Sequence, residues 1–182
     1  MRTVFLFCIT IFVTVSLLAQ TTEGPDNIEQ TVDRLFTAVD NANPTHHPKN
    51  QEWRGYNIKL QEYVGSEFYD ERGLFYSLSY FDFPKEVAKG ASDGELLDMF
   101  LEDGNDEDAI ARLPGVIQKT RTFEQNGMTI REYHAIVPDA QRSVDVRAII
   151  KGRRLYMLQV LSPETSPHPS VEQFYKAFRL EN

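Results

Sequence analysis

Two runs of β-forming residues meet at an Asn-Gly pair in the stretch Val116–Val137, VIQKTRTFEQNGMTIREYHAIV. Asparagine and glycine readily adopt the positive φ angles of a two-residue turn, so Asn126-Gly127 is a strong signal for an antiparallel hairpin. The runs Val144–Lys151 and Leu155–Leu161 flank Gly152 and predict a second hairpin. Consecutive hairpins build an antiparallel sheet, whereas parallel strands need long crossover connections.

The first half of the chain carries strand signals as well. Apolar residues alternate with polar ones over Tyr56–Leu60, and Leu74–Phe83 is rich in aromatic residues, which favour strands. The turn-forming segment Asp70–Gly73 separates these two runs. The polar segment His46–Gln51 predicts a loop.

Helical signals occur in separate blocks. Ser92 followed by Glu95 is a capping box that predicts a helix start, and Leu96–Leu101 supplies its apolar stripe. Asp106–Leu113 predicts a second short helix, and Ser170–Phe178 predicts a helix near the C-terminus.

Residues Ile28–Val39 allow two interpretations. The spacing of their apolar positions predicts a helix. Alternatively, Arg34–Val39 is a short strand that ends at the turn-rich segment Asp40–Pro44.

Hairpins combined with helices in separate blocks predict the α+β class. We expect an antiparallel sheet of about six to seven strands flanked by helices. Residues 28–182 are predicted to form one domain, which follows a polar tail at residues 20–27.

The N-terminus has the pattern of a secretory signal peptide. Arg2 precedes the apolar run Val4–Leu18, and the small residue Ala19 follows it. We expect cleavage near Ala19 and a secreted or periplasmic domain. An uncleaved anchor is the alternative, although the run is shorter than the roughly 20 apolar residues of a spanning helix. Cys8 lies in the middle of the run, which does not fit a lipoprotein.

Charge and cysteine content exclude several classes of function. The formal net charge is −8, and loss of a leader containing Arg2 would make it one unit more negative. An acidic domain binds nucleic acid or an anionic membrane surface poorly, because like charges repel. Cys8 is the only cysteine, so a domain without the leader has neither disulfides nor thiol chemistry.

The acidic stretch 93–108 contains candidate metal ligands, Asp103, Asp106 and Asp108, because calcium prefers oxygen ligands. The stretch lacks the spacing of an EF-hand, however. Carboxylates near helix starts are stabilising without any metal, and a solvated helix face is the simpler interpretation.

Aromatic and histidine residues provide candidate ligand-binding positions, namely Tyr69, Tyr76, Tyr80 and His134. Aromatic side chains on a sheet are more often core residues, and a lone strand histidine is more often structural than a metal ligand. Nucleophile elbows, phosphate-binding loops and dinucleotide fingerprints are absent from the sequence, which assigns no catalytic residue and no cofactor.

The C-terminal third, with GRRLYMLQV at 152–160 and FYKAFRL at 174–180, resembles the ending of PsbP-like domains. Those domains close with a strand, a loop and a helix that ends in F-x-x-S-F, where this chain has Ala177 in place of the serine. The resemblance implies an α/β/α sandwich, no catalytic residues and a role in binding or assembly. It also favours the strand interpretation of Arg34–Val39.

These observations together predict a secreted or periplasmic, non-enzymatic binding or assembly domain. Its partner would be another envelope protein or a small ligand, with no nucleic acid and no membrane span after cleavage. The alternative is a metal-dependent or hydrolytic enzyme that uses the acidic stretch 93–108, or Glu132 with His134.

Overall fold

The computed structural model of the chain describes residues 27–39, 44–67, 73–102 and 116–180. In chain order, the described residues form α1 (Ile28–Thr37), β1 (Thr45–His46), β2 (Lys49–Trp53), β3 (Tyr56–Glu67), β4 (Leu74–Asp82), α2 (Lys85–Ala88), α3 (Asp93–Glu102), β5 (Val116–Gln125), β6 (Met128–Val137), β7 (Arg142–Lys151), β8 (Arg154–Ser162) and α4 (Ser170–Ala177). No helix in these ranges is long and apolar enough to cross a membrane. The predicted signal peptide (1–19), the tail before residue 27 and the predicted helix Asp106–Leu113 lie outside the described residues.

The strands form a sheet in the order β1-β3-β4-β8-β7-β6-β5, and β2 also pairs with β3. Every one of these pairs is antiparallel. The prediction of an α+β fold built on an antiparallel sheet is therefore confirmed. The described residues contain eight strands, which is more than the six to seven expected. The sequence pattern missed β1 and β2, which lie in a segment without strand signals.

The prediction of a loop at His46–Gln51 was wrong except at His47 and Pro48, which lie between β1 and β2. Thr45 and His46 pair with Val64 and Tyr63, and the strand β2 pairs with the first half of β3. Most of β2 is exposed, so its sequence does not need an apolar alternation. The turn that joins it to β3 begins with Arg54 at φ 49°, a conformation for which asparagine or glycine is the usual signal.

The hairpin of β5 and β6 confirms the prediction from the Asn-Gly pair. Gln125 faces Met128 in the register, which leaves Asn126 and Gly127 as the two turn residues. Their φ angles are 53° and 71°, as a twist-compatible two-residue turn requires. The second predicted hairpin, around Gly152, is present between β7 and β8.

The helix interpretation of Ile28–Val39 is confirmed over Ile28–Thr37, and the strand alternative was wrong. Most of the apolar residues at helical spacing are buried, including Leu35 and Phe36. Thr31 Oγ1 also donates a hydrogen bond of 2.9 Å to the carbonyl oxygen of Arg179, beyond α4. Contacts with the distant C-terminal helix thus stabilise α1 in this conformation.

The predicted capping box is present at the start of α3. The backbone N–H of Ser92 donates to Glu95 Oε2 at 2.7 Å, and Ser92 Oγ accepts from the N–H of Glu95 at 3.3 Å. Burial then follows the predicted stripe, with Leu96, Leu97 and Phe100 inside the protein.

Helices cover both faces of the sheet, and each face has its own core. On one face, α1 and α4 pack on a cluster that includes Leu78, Leu158 and Ile149. On the other face, α3 packs on a cluster that includes Trp53, Phe83 and Ile150. The β2–β3 hairpin contributes Trp53 to this second core, which explains why a largely polar strand ends in a buried tryptophan.

Candidate functional site: the α4 pocket

A cavity of about 430 Å³ lies between α4, the loop that precedes it and the strands β5, β6 and β7. We call it the α4 pocket. Its charged and polar lining residues are Lys119, Arg121, Glu132, Tyr133, His134, Asp145, His168, Glu172 and Tyr175. Pro167, Pro169 and Val171 supply apolar surface.

Strand register explains why charged residues meet here. Side chains two residues apart on a strand share a face, so Glu132 and His134 lie together on β6. Each of these two residues has a partner directly opposite on β5 and another on β7, so that two rows of side chains run across the three strands. The first row contains Arg121, Glu132 and Arg147, and the second contains Lys119, His134 and Asp145.

Glu132 is held by two arginines. Its Oε1 accepts a hydrogen bond of 2.8 Å from Arg147 Nε, and its Oε2 accepts from Arg121 Nε. The Glu132 and Arg147 side chains are 13% and 11% exposed, so the pair is largely removed from water. Burial opposes ionisation of Glu132, but the hydrogen bonds from the two arginines outweigh it and lower its pKa. Glu132 is therefore an ionised structural carboxylate.

His134 and Asp145 form the second polar contact. His134 Nδ1 lies 2.9 Å from Asp145 Oδ1, and the Asp145 side chain is 8% exposed. Burial raises the pKa of Asp145, and the hydrogen bond from His134 only partly offsets that rise. The carboxylate orients the ring through Nδ1, which leaves Nε2 for another partner.

Three residues of the pocket lining have a buried polar side-chain atom without a hydrogen-bond partner among the described residues. One of them, Tyr133, packs in the core on the α3 side of the sheet. The other two atoms lie on the side of the sheet that α4 covers. They are Asp145 Oδ2 and the hydroxyl of Tyr175. Burial raises the pKa of Tyr175 well above its ordinary value, and the charge of Asp145 adds to the rise. The Tyr175 ring also lies under the Arg147 guanidinium, 4.3 Å from centroid to Cζ. The tyrosine is thus fixed in position while its hydroxyl is unsatisfied.

A hydrogen-bonded chain runs from His168 in the pocket lining into the core at the start of α4. Tyr76 donates from its hydroxyl to Ser170 Oγ at 2.8 Å, and Ser170 Oγ lies 2.6 Å from His168 Nδ1. The backbone N–H of Ser170 also donates to His168 Nδ1 at 3.3 Å. Because Nδ1 accepts, this network assigns the ring proton to Nε2.

The candidate ligand-binding residues lie in different places. His134 lines the α4 pocket. Tyr76 is fully buried and reaches the pocket through Ser170 and His168. Tyr80 packs near Tyr156, with ring centroids 5.9 Å apart, and burial raises its pKa to about 12. Tyr69 lies outside the described residues.

The candidate metal ligands Asp103, Asp106 and Asp108 lie outside the described residues. In the part of the acidic stretch that is described, Asp98 pairs with Arg131 at 2.5 Å and Asp93 accepts a hydrogen bond from Thr129 at 3.4 Å. The described ranges contain no group of three or more histidine or acidic residues arranged to hold a metal ion.

The sequence pattern missed Asp145, Arg147 and Tyr175. A signal was present in Val144–Ala148, where two charged residues alternate with apolar ones. This segment belongs to β7, which pairs with a strand on each side. Such charges on a face packed by a helix indicate a buried polar site. The partner strand and α4, which decide what these charges contact, follow only from the tertiary fold.

Comparisons of the chain with protein-family models, with curated proteins and with solved structures found no match, so its function is inferred from the geometry of the α4 pocket.

Proposed function

We propose that this chain is a secreted or periplasmic, non-enzymatic binding domain whose α4 pocket holds a small polar ligand. The ligand would donate a hydrogen bond to Asp145 Oδ2 and exchange another with the hydroxyl of Tyr175. The observation that carries the proposal is the pair of unsatisfied buried polar atoms in the lining of one cavity.

Unsatisfied buried polar groups are costly, and folded proteins contain few of them. Leaving such a group without a partner costs about 1–3 kcal/mol. A ligand that supplies the missing partners recovers this free energy on binding. The acceptors at Asp145 and His134 Nε2, together with the donor at Lys119, suit a compound with several hydroxyl or amino groups.

The proposed location depends on the N-terminal apolar run, and N-terminal sequencing of the exported protein would test cleavage near Ala19. The resemblance to PsbP-like domains supports a binding role. Helices on both faces of an antiparallel sheet are compatible with it, but such a fold alone does not assign a function.

Binding can be tested by calorimetric titration of a panel of sugars, polyols and amino acids. We expect at least one compound to bind saturably and Asp145→Asn to weaken its binding about tenfold, equivalent to losing one good hydrogen bond. Asp139→Asn is the matched control, since Asp139 is exposed on the turn after β6. Failure of every compound to bind, or equal weakening by both variants, would contradict the proposal.

Tyr175→Phe gives a stability test that needs no ligand. Removing an unsatisfied hydroxyl should raise the free energy of unfolding of the ligand-free protein by about 1 kcal/mol. Tyr76→Phe is the matched control and should lower it by a similar amount, because that hydroxyl donates to Ser170. Urea denaturation measures both. A loss of stability in Tyr175→Phe would mean that its hydroxyl already has a partner.

A hydrolytic enzyme is the second candidate function. The contact of Asp145 with His134 Nδ1 favours it, because a carboxylate in this position orients a histidine to accept a proton at Nε2. Turnover of a bound panel compound that is lost in His134→Gln would favour the enzyme. Binding without turnover would favour the binding domain.

A further inference from the structure

A second and larger cavity, of about 860 Å³, lies between the β5–β6 hairpin and the C-terminal half of α4. We call it the hairpin groove. It shares Arg121, Glu172 and Tyr175 with the α4 pocket, and its other lining residues are distinct.

Apolar side chains form one part of this groove. Ile130, Ile149 and Phe178 belong to the buried core. Phe123 and Met128 on the hairpin, with Leu180 after α4, are only partly buried and extend the same apolar surface toward solvent. The groove therefore offers continuous apolar area that a ligand could remove from water.

Basic side chains form the other part. The lining contains Arg121, Arg147, Lys151, Lys176 and Arg179, against one carboxylate among the described lining residues, Glu172. Arg121 and Arg147 share the charge of Glu132. Lys176 is 77% exposed and 3.9 Å from Glu172, a distance and exposure at which the pair contributes little. The groove is thus positively charged in a chain whose net charge is −8.

We infer that the hairpin groove binds a free, single-chain organic anion, such as an alkyl carboxylate. The apolar surface covers the chain of the ligand, and the basic side chains hold its anionic head. A membrane is a poor alternative occupant, because the surface is concave and the acidic protein is repelled by an anionic bilayer. This inference is independent of the ligand proposed for the α4 pocket. Apart from Arg121, the basic and apolar residues of the hairpin groove do not line the α4 pocket.

Decanoate, below its critical micelle concentration, is the probe, and calorimetry of the whole domain is the measurement. The variant Lys176→Glu/Arg179→Glu reverses two exposed charges of the groove. We expect it to weaken decanoate binding by about tenfold or more, since each reversed exposed charge contributes up to about 1 kcal/mol. The control Lys85→Glu/Lys89→Glu makes the same change in net charge on α2 and the turn after it, and it should leave the affinity unchanged.

Three further ligands separate the possible outcomes. We expect decyltrimethylammonium and decanol to bind more weakly than decanoate, and vesicles of anionic phospholipid not to bind. Equal affinity for decanol and decanoate would overturn the inference, because the basic side chains would then have no role. Equal weakening by both charge-reversal variants would overturn it too, as would vesicle binding without decanoate binding. Circular dichroism of each variant checks that it is folded, and Met128→Asp, on the apolar wall, must also weaken decanoate binding.

Discussion

Phe174→Ala is expected to lower the free energy of unfolding by about 4 kcal/mol, the cost of deleting a fully buried phenylalanine. The Phe174 side chain is 0% exposed. Its ring lies 5.6 Å from that of Phe36 on α1 and 5.2 Å from that of Tyr76 on β4, between centroids. Removing it leaves a cavity where two helices meet the sheet.

Urea denaturation at pH 7 measures this loss, and Lys176→Ala is the control on an exposed position of the same helix. The control should change stability by less than about 0.5 kcal/mol, as is usual for exposed sites. If Phe174→Ala behaved like the control, α4 would not be docked on the sheet, and the α4 pocket would lose its wall.

Glu132→Gln is expected to cost about 3 kcal/mol at pH 7, because it leaves the largely buried Arg147 without its charged partner. The pH dependence has a definite sign. The pKa of Glu132 is lowered in the folded state, so its contribution to stability is present above the ordinary pKa of glutamate and is lost as the pH falls through the lowered value. The stability gap between the wild type and the variant should close at acidic pH.

Glu62→Gln is the matched control for Glu132→Gln, because it removes the same charge at a more exposed position. Glu62 pairs with Lys49 at 2.5 Å, but the two side chains are 25% and 55% exposed, and such exposed pairs contribute about 0–1 kcal/mol. Equal losses in the two variants, or a gap for Glu132→Gln that does not depend on pH, would contradict the assignment of Glu132 as a buried, ionised carboxylate.

The sequence predicts those parts of the fold that depend on local chemistry. The turn at Asn126-Gly127 requires positive φ angles, and the start of α3 requires the side chains of Ser92 and Glu95. Both are encoded within a few residues. The strand β2 was missed because its pairing with β3 does not require an apolar pattern on an exposed edge.

The candidate site was predictable only in part for a different reason. Glu132 and His134 stand out as charged and titratable groups on a predicted strand. Their roles depend on the opposite residues in the register, Asp145 and Arg147, and on Tyr175 from a helix close to the C-terminus. No local pattern determines which strand lies beside β6 or which helix covers it.

NMR chemical-shift mapping is the most direct test of the proposal that the α4 pocket is the ligand site. The titrant is the tightest-binding compound of the sugar, polyol and amino acid panel. We predict saturable shifts in the backbone amide signals of His134, Asp145 and Tyr175. In Asp145→Asn, half-saturation of the His134 and Tyr175 shifts should need about tenfold more ligand. Saturable shifts confined to the α3 face of the sheet, or none around the α4 pocket at saturation, would contradict the claim.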